Sequence, residues 1–179
     1  MGLIVHLNGY PGTGKLTIAR ALAQRLNARV LDNHTLMNPA AALFARDDTK
    51  YPPFRAAIRK LVFDHALSLP QDTQLIVTDA FSDGPADRQM FDEIKTLAAR
   101  RNDVYRPVVL EVEGAENIAR LTSPERDGMK KLTDATILTR LRDEHRLYYP
   151  ADCLTLDVSL LQPDQAAARI ADWLASGAD

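Results

Sequence analysis

The residues best suited to chemistry lie in Asn8-Gly9-Tyr10-Pro11-Gly12-Thr13-Gly14-Lys15-Leu16-Thr17. Gly9, four residues, then Gly14-Lys15 is the spacing of a phosphate-binding loop, and it falls between an apolar run and a helical pattern as that loop requires. Glycines admit positive φ, so backbone N–H groups can turn inward and form a cradle for phosphate oxygens. The helix that follows adds its amino-terminal partial charge and free amides. Lys15 supplies a mobile ammonium able to follow a phosphoryl group in transfer. The predicted nucleotide-binding set is therefore Gly9, Gly12, Thr13, Gly14, Lys15, Leu16 and Thr17. One position departs from the pattern: Leu16 stands where a Ser or Thr hydroxyl would bind Mg²⁺. Thr17, one helical step on, points about 100° away from it. Two other readings of the segment are a plain strand–turn–helix and a dinucleotide-binding turn with Asp32 downstream. The second would put Thr17 where a small glycine should pack and a lysine inside the turn.

Such a loop needs a strand before it and a helix after it, and the pattern supplies both. Leu3 to Leu7 reads as a buried strand, and a helix follows from Lys15 to about Asn27, with Ile18, Leu22 and Leu26 on one face. Further strands are expected at Arg29 to Leu31, Leu75 to Thr78, Val108 to Val112 and Leu154 to Val158. Helical patterns separate them at Phe54 to Leu69, Pro85 to Arg100, Ala115 to Leu121, Asp134 to Leu147 and Pro163 to Trp173. Strands alternating with helices predict an α/β fold with a parallel sheet between two helical layers. Near-continuous apolar strands fit a sheet covered on both sides. Two stretches break the alternation, His34 to Pro53 and the polar Thr122 to Thr133. Loops at the carboxyl ends of parallel strands are where ligands bind, so both are candidate substrate-facing segments.

With 179 residues, 46% of them hydrophobic, the chain is expected to form one domain spanning 1–179. A net charge of −2 gives no global pull toward nucleic acid or an anionic membrane, so neither is an expected partner. Cys153 is the only cysteine, which excludes an intramolecular disulfide and a cysteine-based zinc cage. The four histidines show no transition-metal spacing. No apolar run approaches the roughly 20 residues of a membrane span, and no basic segment precedes the first apolar run, so a cytoplasmic protein is expected.

The stretch GYPGTGKLT resembles the GxPGxGKxT Walker A loop of adenylate kinase and related small P-loop kinases. In adenylate kinase the residue after the lysine is glycine and is followed by threonine, so the resemblance implies that Leu16 is tolerated and that Thr17 contacts phosphates. It further implies ATP and Mg²⁺ as cofactors, a sheet order 2-3-1-4-5, an acceptor-binding segment at about 34–70 and a lid at about 120–133. Asp32-Asn33-His34 resembles the place where shikimate and gluconate kinases carry an acidic residue near substrate and metal. Arg120 through Arg126 resembles their lid, and Leu75-Ile76-Val77-Thr78-Asp79 a Walker B strand.

On these residues a kinase reading takes a definite form. Asp32 would accept the proton of an acceptor hydroxyl or orient a water on Mg²⁺, with His34 beside it against the substrate. The alternative for Asp32 is a helix cap. Asp79 would hold a magnesium-bound water, a role enlarged if Leu16 supplies nothing; the Asp83-Gly84 turn offers a structural alternative. Arg120 and Arg126, with Lys130 and Lys131 nearby, would stabilise charge spreading over the transferred oxygens, or form a solvated basic loop. The expected activity is transfer of the ATP γ-phosphoryl group to a hydroxyl or phosphate of an unidentified small molecule. The other class is a nucleotide-binding switch without transfer, which weak Mg²⁺ binding at Leu16 would favour.

Overall fold

Val5 and Leu7 face one side of the first strand, and Ile4 and His6 the other; that alternation builds two separate cores. In the computed structural model, which describes residues 2–124 and 132–177, β1 (Leu3–Asn8) is the central strand of a five-stranded parallel sheet. The others are β2 (Arg29–Asp32), β3 (Leu75–Asp79), β4 (Val104–Glu111) and β5 (Leu154–Asp157), in the order β2-β3-β1-β4-β5. Seven helices are present among the described residues: α1 (Lys15–Leu26), α2 (Asn33–Leu43), α3 (Tyr51–Ala66), α4 (Pro85–Arg101), α5 (Gly114–Leu121), α6 (Ala135–Glu144) and α7 (Pro163–Ala175). Among the same residues no helix is long and apolar enough to cross a membrane.

On one face Val5, Leu7 and Ile76 pack with Ile18 and Leu22 of α1 and Ile170 of α7. On the other, Ile4, Leu75 and Val77 pack with Leu36 of α2, Phe63 of α3, and Phe91 and Ile94 of α4. The chain leaves β1 toward the first face, through α1, and leaves the neighbouring β3 toward the second, through α4. Adjacent strands whose connections diverge open a crevice at their carboxyl ends, and an open parallel sheet binds its ligands there.

Two elements depart from the sequence pattern. The expected link at His34 to Pro53 contains helix α2, although Pro39 lies inside it and removes a backbone donor. Asp32 caps that helix, and burial of Leu36 and Ala40 outweighs the local cost. Strand β4 starts at Val104 rather than at Val108, so it includes Pro107. On its outer flank β5 joins only from Val108, leaving no strand there to miss the donor that proline lacks.

Arg101, at the end of α4, is fully buried and closes the connection between α3 and β3. Its Nε donates to Asp103 Oδ2 at 2.6 Å. Its two terminal nitrogens donate to the carbonyls of Ala66 (2.7 Å), Leu69 (3.2 Å), Pro70 (3.2 Å) and Thr73 (3.3 Å).

Candidate active site

The glycine-rich turn leaves β1 at the crevice, and two of its glycines take backbone angles that other residues resist: φ is +87° at Gly12 and +91° at Gly14. Gly14 is also the amino-terminal cap of α1, whose first residue is Lys15. Lys15 folds back so that Nζ donates to the Gly9 carbonyl at 2.6 Å and the Tyr10 carbonyl at 2.8 Å. The Thr13 hydroxyl also donates to the Tyr10 carbonyl. The predicted phosphate loop is thus a strand–turn–helix with its lysine curled over the turn.

Residues outside the motif hold this turn from two helices. Asn117 of α5 is fully buried and donates from Nδ2 to the Pro11 carbonyl at 2.8 Å. Arg142 of α6 donates to Asn117 Oδ1 at 3.0 Å, and its guanidinium lies 4.9 Å from the centre of the Tyr10 ring. Tyr10 in turn donates to the His145 carbonyl at 2.7 Å. Burial raises the Tyr10 pKa above its ordinary value, with Arg142 opposing, so the phenol stays a donor at neutral pH. A signal for Asn117 was present in the sequence: it pairs with Leu121 at i, i+4 on the buried side of α5, where an amide must find a partner. A methyl group at Gly12 would stand 2.6 Å from Asn117 Nδ2, at a φ that already strains an L-residue. Gly12→Ala is expected to cost about 1–2 kcal/mol from backbone strain alone, read as a lower urea midpoint together with weaker ATP binding. An unchanged midpoint would contradict this geometry.

A cavity of about 460 Å³ opens in front of the turn. Gly12, Gly14, Lys15, Leu16 and Thr17 line one wall, Asp32 and His34 the wall formed by the end of β2 and the start of α2. The structure therefore brings Lys15, Asp32 and His34 to one space. Asp32 also caps α2: Oδ1 accepts from the His34 amide at 3.0 Å and Oδ2 from the Thr35 hydroxyl at 2.7 Å. The capping and cavity-facing readings hold together at this one residue. Arg46, Arg55, Met37, Thr78, Phe81 and Asp87 complete much of the lining.

Asp79 is placed elsewhere. Strand alternation turns Thr78 toward the cavity and Asp79 to the opposite face of the sheet, where it is fully buried. Its Oδ2 lies 3.3 Å from His6 Nε2 and its Oδ1 3.9 Å from an Arg59 nitrogen. His6 Nδ1 is 2.9 Å from the Tyr105 hydroxyl. Burial, with the Asp79 charge adding, drives the Tyr105 pKa far upward. That phenol therefore donates to Nδ1 when the imidazole carries its proton on Nε2, facing Asp79. Arg59 is held from outside by Glu93 Oε2 at 2.7 Å and the Met90 carbonyl at 2.8 Å. This buried group was not apparent from sequence, because His6 and Arg59 are 53 positions apart and lie on different elements.

Arg120 lies on the other side of the turn. Its guanidinium donates to Glu116 Oε1 at 2.7 Å and to the carbonyls of Val158 (2.8 Å) and Ser159 (2.9 Å). It borders a second cavity, of about 390 Å³, with Gly12, Thr13, Thr17, Gln162 and Pro163. The turn is therefore the wall between two spaces, with Asp32 in one and Arg120 in the other. Arg126, Lys130 and Lys131 lie outside the described residues.

No family sequence model and no curated protein matches the chain. Solved structures do match it along nearly its whole length. A sugar kinase from Janibacter sp. superposes with a TM-score of 0.65 at 17% identity, covering 99% of this chain and 96% of the other. Shikimate kinase from Acinetobacter baumannii in complex with shikimate gives 0.63 at 17% identity, covering 98% and 94%. The APS kinase of Mycobacterium tuberculosis in complex with AMPPNP and APS gives 0.61 at 18% identity, covering 97% and 98%. With its sheet order, its glycine turn and these structural neighbours, the chain has the α/β fold of the small P-loop kinases.

Proposed function

We propose that the protein is an ATP-dependent phosphotransferase that moves the γ-phosphoryl group to a hydroxyl or phosphate of a small molecule. The observation that carries this reading is the single cavity onto which Lys15, the amino terminus of α1 and the Asp32 carboxylate all open. Transfer of a phosphoryl group needs little covalent help from the protein; it needs alignment and charge stabilisation. Backbone amides from Gly12 to Thr17 would bind the phosphates, and Lys15 would leave its loop carbonyls to follow the charge on the transferred group. Asp32 would orient the acceptor and accept its proton, its geometry fixed by the two hydrogen bonds that make it a cap. Arg120, across the turn, is suited to the nucleotide end of ATP rather than to the transferred group.

Asp32 and Thr17 are oxygen donors lining this cavity beside the cradle, and with the phosphates they fit a Mg²⁺ ion; Asp79, facing His6 and Arg59, does not line it. The ion would supply charge neutralisation at the phosphates. Leu16 lines the same wall and offers no oxygen, which is the observation favouring the second reading, a nucleotide-dependent switch.

Acceptor-dependent ADP release with Mg·ATP, measured across nucleoside monophosphates, sugars and hydroxy acids, tests the proposal. A rise with one acceptor, with phosphorylated product, supports transfer. Nucleotide-dependent capture of a protein partner with no phosphorylated product would replace it by the switch.

A further inference from the structure

We propose that the groove between α3 and α4 is a second ligand site, one that takes a small apolar acid. A cavity of about 740 Å³ lies between the two helices, larger than either space beside the phosphate turn. Helices packed ridge into groove leave no such space, and the volume suits a small organic ligand. Residues 52–64 and 89–100 line it, spaced three and four apart, so one face of each helix looks onto it. The groove shares Arg55 with the active cavity and no other lining residue, so this inference stands apart from the phosphotransferase reading.

Two polar bridges cross the groove and frame its apolar base. In the first, Arg59 of α3 donates to Glu93 Oε2 and to the Met90 carbonyl of α4. In the second, Lys60 donates to Asp64 Oδ2, and Arg100 of α4 lies 3.9 Å from Asp64 Oδ1. Phe63 and Leu97, both buried, fall between the bridges. Arg59 and Asp64 are five positions apart and Glu93 and Arg100 seven. At the helical rise the span is about 7–10 Å, the length of a fused pair of aromatic rings. Charge then selects the head group. At the first bridge one cation meets one carboxylate, and Arg55 and Asp92 beside it add one charge of each sign. At the second, Lys60 and Arg100 share the single Asp64 carboxylate, which leaves a positive charge over at an exposed end of the groove. An apolar acid would lay its carbon surface on Phe63 and Leu97 and turn its carboxylate to Lys60 and the forked guanidinium of Arg100. An ammonium in the same place would meet like charge.

Calorimetric titration of the whole chain with three probes of one shape tests this: 1-naphthoate, 1-naphthalenemethanol and 1-naphthylmethylammonium. The acid is expected to bind most tightly. Its advantage over the alcohol should shrink roughly 3- to 10-fold in Arg100→Gln and in Lys60→Gln, two exposed positions at which the fold does not depend on the charge. Thr96 is exposed, lies between the bridges and does not line the active cavity. Thr96→Trp sets an indole into the groove and should abolish binding of all three probes, with AMPPNP affinity unchanged. Equal binding of acid and alcohol, tighter binding of the ammonium, acid binding indifferent to Thr96→Trp, or no binding by any probe would overturn the inference. Sedimentation velocity on the wild type and on Thr96→Trp covers the remaining occupant: a dimer lost in the variant would assign the groove to a second copy of the chain and end the proposal.

Discussion

Lys15→Ala is expected to lower acceptor-dependent ADP release by roughly 10²–10³-fold or more, the scale set by removing one preorganised group that stabilises transition-state charge. The fold should survive the change. In the resting loop Lys15 donates hydrogen bonds to the carbonyls of Gly9 and Tyr10. Their net worth is about 1–3 kcal/mol together. The loop conformation itself rests on the glycines at 12 and 14 and on Asn117, none of which the substitution touches. Turnover measured beside a urea unfolding curve separates the two effects. A variant that unfolds normally and turns over at the wild-type rate would end the mechanism proposed for this cavity.

The largest loss of stability is expected at a site remote from the chemistry. Arg101→Met removes all five N–H donors from a fully buried guanidinium. It strands Asp103, also buried, without its 2.6 Å partner, and leaves the Ala66, Leu69, Pro70 and Thr73 carbonyls short of a donor. Breaking a buried pair by removing one partner costs about 3–5 kcal/mol, against a total of about 5–15 kcal/mol for a typical domain. The thermal midpoint should therefore fall by on the order of 10 °C. Arg101→Lys keeps the charge beside Asp103 but has too few donors, in the wrong directions, for the four carbonyls, so it should fall between the two. Calorimetric melting of the three proteins checks the order, and a melting point for Arg101→Met equal to wild type would refute it.

Much of the fold was readable because its signals are local. The sheet strands are apolar runs, and the phosphate turn declares itself through Gly12, Gly14 and Lys15 within a dozen residues of the first strand. The helix across Pro39 and the start of β4 ahead of Pro107 were not legible for a common reason: proline is penalised locally, whereas burial of Leu36 and the absence of a strand beside Pro107 are settled by distant parts of the chain. The site divides along the same line. Asp32 is legible as a strand-end acid in front of the turn. The orientation of Asp79 depends on a one-residue alternation that a short apolar run does not phase, since Thr78 and Asp79 are both polar. The anchoring of the turn by Asn117 and Arg142 brings together residues more than 100 positions from it.

At the last residue of the central strand, the Asn8 side chain accepts from the Phe81 amide at 2.7 Å and donates to the Phe81 carbonyl at 3.0 Å and the Tyr148 carbonyl at 3.2 Å. One amide thereby clips together three stretches of chain beyond the point where strand pairing stops, directly under the crevice. The floor of that crevice loses its conformational freedom when the protein folds, not when a ligand arrives. A ligand meeting a floor already ordered forfeits less of its interaction energy to entropy. The base of the crevice is thus set during folding, by one side chain that belongs to the central strand.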